Sequence, residues 1–139
     1  MSLSQNVLSL IPQAPPFVMI DELVSSDELS AVTSLTIRPD NIFVKDNYFE
    51  EPGMVENIAQ TAAARVGHYA MSENIPVPIG YIGAVNELKI FDLPKVGDTI
   101  ETEIVIENQI FNVTIISGKI KCRDTVMATC KMKIFLSNQ

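Results

Sequence analysis

One carboxylate stands where a helix end can present it to a reactive group. The run Pro52-Gly53-Met54-Val55-Glu56-Asn57-Ile58-Ala59-Gln60 opens a long alanine-rich segment. Proline suits the first helical position, and Gly53 lets another group come close to the backbone. The free N–H groups of a helix start hold a carbonyl oxygen or an anion. Glu56 lies one turn further in, so a small electrophile held at the end would meet a single acid. An acid in the first turns is also commonplace, because the helix dipole favours it. The surrounding sequence has to decide between the two readings.

The elements that must position this acid can be read from periodicity. The helix is predicted from Pro52 to about Met71, closed by Asn74, Pro76 and Pro78. At about 100° per residue, Val55, Ile58, Ala59, Ala62, Ala63, Val66, Tyr69 and Ala70 form one apolar arc. Glu56, Gln60 and Gly67 fall just beyond its edge. Asn57, Thr61 and His68 form a separate polar stripe, read as the solvent side, and Arg65 is read as facing solvent too. Residues 3–10 are predicted as a short helix, and 17–24 and 30–37 as strands. Four strands follow the helix, at about 79–91, 98–107, 110–122 and 124–136. Ile100, Thr102, Ile104 and Ile106 alternate with acids, and Val126 to Leu136 alternate with polar residues, the mark of an antiparallel sheet with one wet face. The pattern predicts an α+β fold: a curved antiparallel sheet wrapped around one buried helix, as a single domain over residues 1–139.

Composition narrows the function classes. Apolar residues make up 47% of 139 residues, enough for a sizeable core. No apolar run reaches the roughly 18 residues that cross a bilayer, and the N-terminus carries no secretory signal pattern, so no membrane partner is expected. The net charge of −7 and the lack of a basic stripe argue against nucleic acid. Arg38, Lys45, Lys89 and Lys95 are the cations that a local acidic partner would meet; scattered solubilising charge explains them equally well. Cys122 and Cys130 are too few for a disulfide framework, which fits a reducing, cytoplasmic setting. With one histidine, no metal site and no cofactor are predicted. Cys130 falls on the apolar phase of the last strand and reads as core.

Four segments in order resemble the hotdog-fold 3-hydroxyacyl-acyl-carrier-protein dehydratases. Residues 11–21, IPQAPPFVMID, resemble the family's L-P-H-R-x-P-F-x-x-x-D segment. Glu56-Asn57-Ile58-Ala59-Gln60 resembles the E-A-x-A-Q of the central helix. Tyr81-Ile82-Gly83-Ala84-Val85-Asn86 resembles the following F-x-G-I-x-x strand, and Val96-Gly97-Asp98 the next turn. The resemblance implies a dimer whose sheets join edge to edge and an acyl tunnel at the subunit interface. It implies a thioester substrate on acyl carrier protein or CoA. Carried over by position, Glu56 is the active acid, Gly53 holds the thioester carbonyl and Gln60 supports by hydrogen bonding. The family's histidine-bearing G-H-F-P-G segment has no counterpart: Tyr48 falls where that histidine would be, and Gln13 replaces the histidine of the first motif. These departures resemble the divergent dehydratase-like proteins of aryl polyene synthesis.

Elimination from a 3-hydroxyacyl thioester needs a base for the α-proton and an acid for the departing hydroxyl. Burial beside the apolar arc would raise the Glu56 pKa and suit it to the acid role. His68, twelve residues on, lies about 18 Å along the axis and about 120° around it from Glu56, so it is a poor partner within its own chain. A phenol is a poor general base at neutral pH, so Tyr48 lines a pocket or packs as an ordinary aromatic. Gln13 orients a ligand or is a plain loop residue. Gly83 presents backbone to a ligand or marks a strand bulge. Three functions fit: a dehydratase-like protein acting on the thioester, a non-catalytic subunit that pairs with an active dehydratase, and an acyl-thioester hydrolase. The partners implied are a second copy or a related dehydratase.

Overall fold

The computed structural model describes residues 5–137. In chain order the strands are β1 (Gln5–Asn6), β2 (Glu22–Ser26), β3 (Ser30–Thr36), β4 (Val44–Lys45) and β5 (Tyr48–Phe49). Helix α1 (Glu51–Ser72) follows, then β6 (Ile79–Ile90), β7 (Thr99–Ile110), β8 (Val113–Cys122) and β9 (Thr125–Ser137). Seven strands form one sheet in the order β1-β2-β3-β7-β8-β9-β6, and β4-β5 form a separate hairpin. All the pairings are antiparallel. This is the hotdog arrangement anticipated from the sequence, with α1 packed against a curved sheet.

The long strands arise from period-two alternation. Ile100 and Ile104 on β7, Ile116 and Ile120 on β8, and Ala128, Cys130 and Met132 on β9 are buried towards α1. Their neighbours Glu101, Glu103, Lys119, Lys121, Lys131 and Lys133 face out. The β8–β9 turn places Arg123 and Asp124 at φ 52° and 71°, the paired left-handed geometry of a tight hairpin that matches strand twist. Register shifts lie between Ile82 and Ala84, Asn86 and Lys89, Ile106 and Asn108, and Ile120 and Lys121. Such bulges bend and twist a strand, which curves the sheet about the helix. β6 is the last strand in the order, so one of its edges is unpaired among the described residues.

The N-terminal part departs from expectation. Residues 3 and 4 lie outside the described residues; 5–6 pair with β2, and only Val7–Ser9 turn as a 3-10 helix. The predicted strand over 17–24 begins at Glu22. The Phe17 N–H closes a turn by donating to the Ala14 carbonyl at 2.9 Å, and the Phe17 carbonyl and Met19 then bond to side chains of α1. Gln60 Oε1 accepts from the Met19 N–H at 2.7 Å, Gln60 Nε2 donates to the Phe17 carbonyl at 2.8 Å, and Asn57 Nδ2 donates to the Met19 carbonyl at 2.8 Å. Strand-like alternation was legible there, but the partner is a helix rather than a strand.

These bonds overturn the solvent-side assignment of the polar stripe. Asn57 and Thr61 have no exposure and lie against β3 and β7. Thr102 donates to Asn57 Oδ1, and Thr61 Oγ1 donates to the Asn57 carbonyl at 2.8 Å. A hydroxyl has one proton, so in the 2.7 Å contact between the hydroxyls of Thr33 and Thr61 the donor is Thr33. A hydrophobicity pattern ranks Asn and Thr as outward residues; a fully satisfied polar network is the exception that reverses this. The network fixes the rotation of α1, and much of the predicted apolar arc turns the other way. Val55, Ala59, Ala63 and Val66 are half-buried and Tyr69 is exposed.

Candidate functional site

The rotated helix leaves a cavity of about 270 Å³ between α1 and the far half of the sheet. Glu56, Ala59, Ala63 and Val66, spaced three and four apart, line its helix wall as one stripe. Ile104, Ile116, Ile134 and Leu136 form the sheet wall, Gly80 to Ile82 of β6 the rim, and Pro12 and Gln13 cross one end. The alanines are what make room: larger side chains at 59, 62 and 63 would fill the space. A largely apolar cleft with a few convergent polar groups is the usual form of a small-molecule site.

Glu56 is the acid on this wall. Burial raises its pKa above the ordinary 4.5, and a side-chain hydrogen bond from Gln60 offsets part of the rise. The Gln60 amide nitrogen donates to the Phe17 carbonyl at 2.8 Å and stands near enough to Glu56 to lower its pKa. Gln60 thus ties the acid to the N-terminal segment, which carries Gln13 back over the cavity. Gln13 Oε1 is buried with no hydrogen-bond partner, in the same cavity as the Glu56 carboxyl. Native proteins rarely leave a buried acceptor unpaired without a functional reason.

Glu56, Gln60 and Gln13 therefore come together, whereas three other predicted residues do not join them. The Gly53 N–H is not free for a ligand carbonyl, because it donates to the Glu50 carbonyl at 3.0 Å. Its lack of a side chain serves packing: a Cβ there would lie 2.5 Å from Phe49 Cε1 and 2.7 Å from Phe43 Cβ. Tyr48 does not line the cavity. Asp46 and Asn47 form a tight left-handed turn (φ 52° and 74°), which buries Phe49 and leaves Tyr48 exposed, opposite Lys45 and bridged to Lys95. Gly83 does not line the cavity either; it sits at the β6 bulge beneath the Phe135 ring, whose Cε2 would be 2.1 Å from an added Cβ. His68 lines a neighbouring depression, not the cavity that holds Glu56.

Sequence reasoning missed two lining groups. Tyr81 was read only as part of a strand motif, although it stands on the rim. Arg65 was assigned to solvent, yet it is half-buried at the cavity margin and burial lowers its pKa. Its spacing from Glu56 by nine residues, on either side of an alanine stripe, was the available signal.

Comparison with known proteins agrees with this geometry. The family model of ApeP-like proteins, described as ApeP dehydratase, matches residues 5–139. A 3-hydroxyacyl-(acyl-carrier-protein) dehydratase FabZ from Lactobacillus helveticus is 25% identical over 131 residues, covering 87% of this chain and 81% of that one. Among solved structures, the dehydratase heterocomplex ApeI:P from Xenorhabdus doucetiae superposes with a TM-score of 0.89 at 15% identity, over 97% of this chain and 93% of that chain. A hypothetical thioesterase protein from Streptococcus pneumoniae, solved with coenzyme A, gives a TM-score of 0.68 at 9% identity over 85% of this chain and 86% of that chain. The last two likenesses are of fold. No helix among the described residues is long and apolar enough to cross a membrane.

Proposed function

The chain belongs to the ApeP-like dehydratase family, and from that premise we propose that its cavity binds a 3-hydroxyacyl or enoyl thioester carried on acyl carrier protein, with Glu56 as the acid of a dehydration. The observation that carries this reading is the pairing of a raised-pKa carboxyl with a buried, unpartnered amide oxygen on one apolar cavity. A departing 3-hydroxyl has to accept a proton, and while bound it has one proton of its own to donate. Protonated Glu56 is the donor and Gln13 Oε1 the acceptor. In the reaction the Cα–H and C3–O bonds break, the C2–C3 double bond forms, and the hydroxyl leaves as water with the Glu56 proton. Gln60 holds Glu56 in position.

The α-proton needs a base that the lining residues of this cavity do not include. That supports the finer reading in which this chain pairs with a related dehydratase that supplies the base. The unpaired edge of β6, flanked by the exposed Tyr81, Ile82, Val85 and Leu88, has the character of an interface. The heterocomplex of the similar ApeI:P structure supports the same reading. The observation also fits a second reading, in which the chain is a non-catalytic subunit that only shapes the partner's tunnel.

Hydration of a crotonyl thioester by the chain alone, and co-purified with a histidine-bearing dehydratase, separates the readings. Turnover of the complex that falls at least about a hundredfold in Glu56→Gln, the scale of general acid catalysis, supports the acid role. Turnover indifferent to Glu56 would leave only the shaping role, and absence of any stable complex would count against the pairing.

A further inference from the structure

Among the described residues Arg65 is the only cation on the cavity wall, and it stands further along the helix than the acid. Nine residues separate it from Glu56, about 13.5 Å along the helix axis and about 180° around it, with the alanine stripe between them. Its hydrogen bonds are weak for so large a group: Nη1 lies 3.3 Å from the Glu28 carbonyl and 3.5 Å from the Asp27 carbonyl. It forms no ion pair among the described residues. The Asp27 carboxylate is already committed within its own turn, accepting from the N–H groups of Leu29 and Ser30 and from the Ser30 hydroxyl. A guanidinium has five donors in a fixed fork, so most of this one is unused. Burial penalises its charge, the nearby Asp27 carboxylate offsets part of that penalty, and a bound oxygen would offset more. Arg65 also lines the neighbouring depression, whose wall includes Asp27 and Glu28.

We propose that Arg65 is a specificity-determining residue that reads the far end of the bound acyl chain, selecting chains whose distal end carries a neutral oxygen acceptor over chains that end in a methyl group. The two acids of that wall disfavour a carboxylate or phosphate there. An uncharged hydroxyl, ether or carbonyl oxygen gains the charge-assisted bond without that repulsion. The assignment rests on the reading of the cavity as an acyl-thioester site.

The test is calorimetric titration with decanoyl-CoA, ω-hydroxydecanoyl-CoA and the matching ω-carboxyl thioester. The native chain should bind the ω-hydroxy probe about tenfold more tightly than decanoyl-CoA, the size of one charge-assisted hydrogen bond. The ω-carboxyl probe should bind no better than the ω-hydroxy one. In Arg65→Met the preference between the first two probes disappears. Arg65→Lys, which keeps the charge but not the fork, retains part of the preference and serves if the methionine variant does not fold. Equal affinities of the native chain for the first two probes would overturn the assignment. So would a uniform loss across all three in Arg65→Met, the mark of an arginine gripping the carrier's phosphate. If neither an acyl-CoA nor the same acyl chain on acyl carrier protein binds, the thioester reading fails and takes this one with it.

Discussion

Replacing Asn57 by alanine tests the inverted helix directly. Its amide bridges the Met19 carbonyl and the Thr102 hydroxyl, in a place where Asn57 and Thr102 have no exposure and Met19 has 1%. Truncation orphans both groups beyond the reach of water. A buried group left without its partner costs about 1–3 kcal/mol. The hydroxyl can turn towards another acceptor whereas the carbonyl cannot, so about 1 kcal/mol for Thr102 and about 2 kcal/mol for Met19 is a fair division. The total of about 3 kcal/mol corresponds to a fall in Tm of roughly 10 °C for a chain of this length. Urea denaturation should show a lower midpoint at unchanged slope. Asn57→Asp should be worse at neutral pH, since it still accepts from Thr102 but sets a buried charge against the Met19 carbonyl. Thr61→Val, which leaves the Asn57 amide in place, should cost only about 1 kcal/mol. A loss below about 0.5 kcal/mol for Asn57→Ala, the value of an ordinary surface change, would refute the buried network and the helix rotation built on it.

Three further outcomes follow from the site and its surroundings. Burial holds the folded pKa of Glu56 above 4.5; the protonated acid is the favoured form, so its stabilising share is intact below pH 4.5 and is lost as pH rises through the folded value. Glu56→Gln should therefore melt above the native chain at pH 7 and match it near pH 4, and a constant difference across that range would contradict the shift. Gly53→Ala should lower stability by about 3 kcal/mol because the buried Phe49 ring cannot move aside, whereas Gly83→Ala should cost less, since the half-open Phe135 ring can swing away; the reverse order in thermal melts would sink this account. The Cys130 thiol, pushed up to about 11 by burial, should resist a disulfide reagent at pH 8 in the folded protein and react on unfolding.

The sheet was legible because its signal is physical and local. Period-two alternation in β7 and β9 reports which face is buried, and the structure follows the predicted strands to within a few residues at each end. The helix was legible in extent but not in rotation. Alanine carries so little hydrophobic weight that the stripe at 59, 62 and 63 reads as core, although two of its three members are only half-buried. Asn57 and Thr61 read as surface because single-residue polarity says nothing of partners, and their partners lie 38, 45 and 28 residues away. Glu56, Gln60 and Gln13 were identified through motif order, since no local rule brings Gln13 over the cavity. Gly53, Gly83 and Tyr48 show the opposite failure. Each occupies a motif position, but local packing by Phe49, Phe135 and the Asp46–Asn47 turn accounts for it.

The site's stability and its chemistry pull on the same helix in opposite directions. Asn57 and Gln60 commit the side of α1 that faces β3 and the N-terminal segment to fully satisfied bonds, which is rigid and favourable. Glu56, the neighbour of Asn57, then cannot turn away from the cavity without unlocking that side. Burial there raises its pKa, the direction that favours the protonated form a leaving hydroxyl requires. Rotating the helix by one residue, about 100°, would solvate the acid and strand the polar network together. The buried asparagine therefore helps to hold Glu56 in the burial that raises its pKa, and substitutions at 57 should alter the Glu56 titration even where the fold survives.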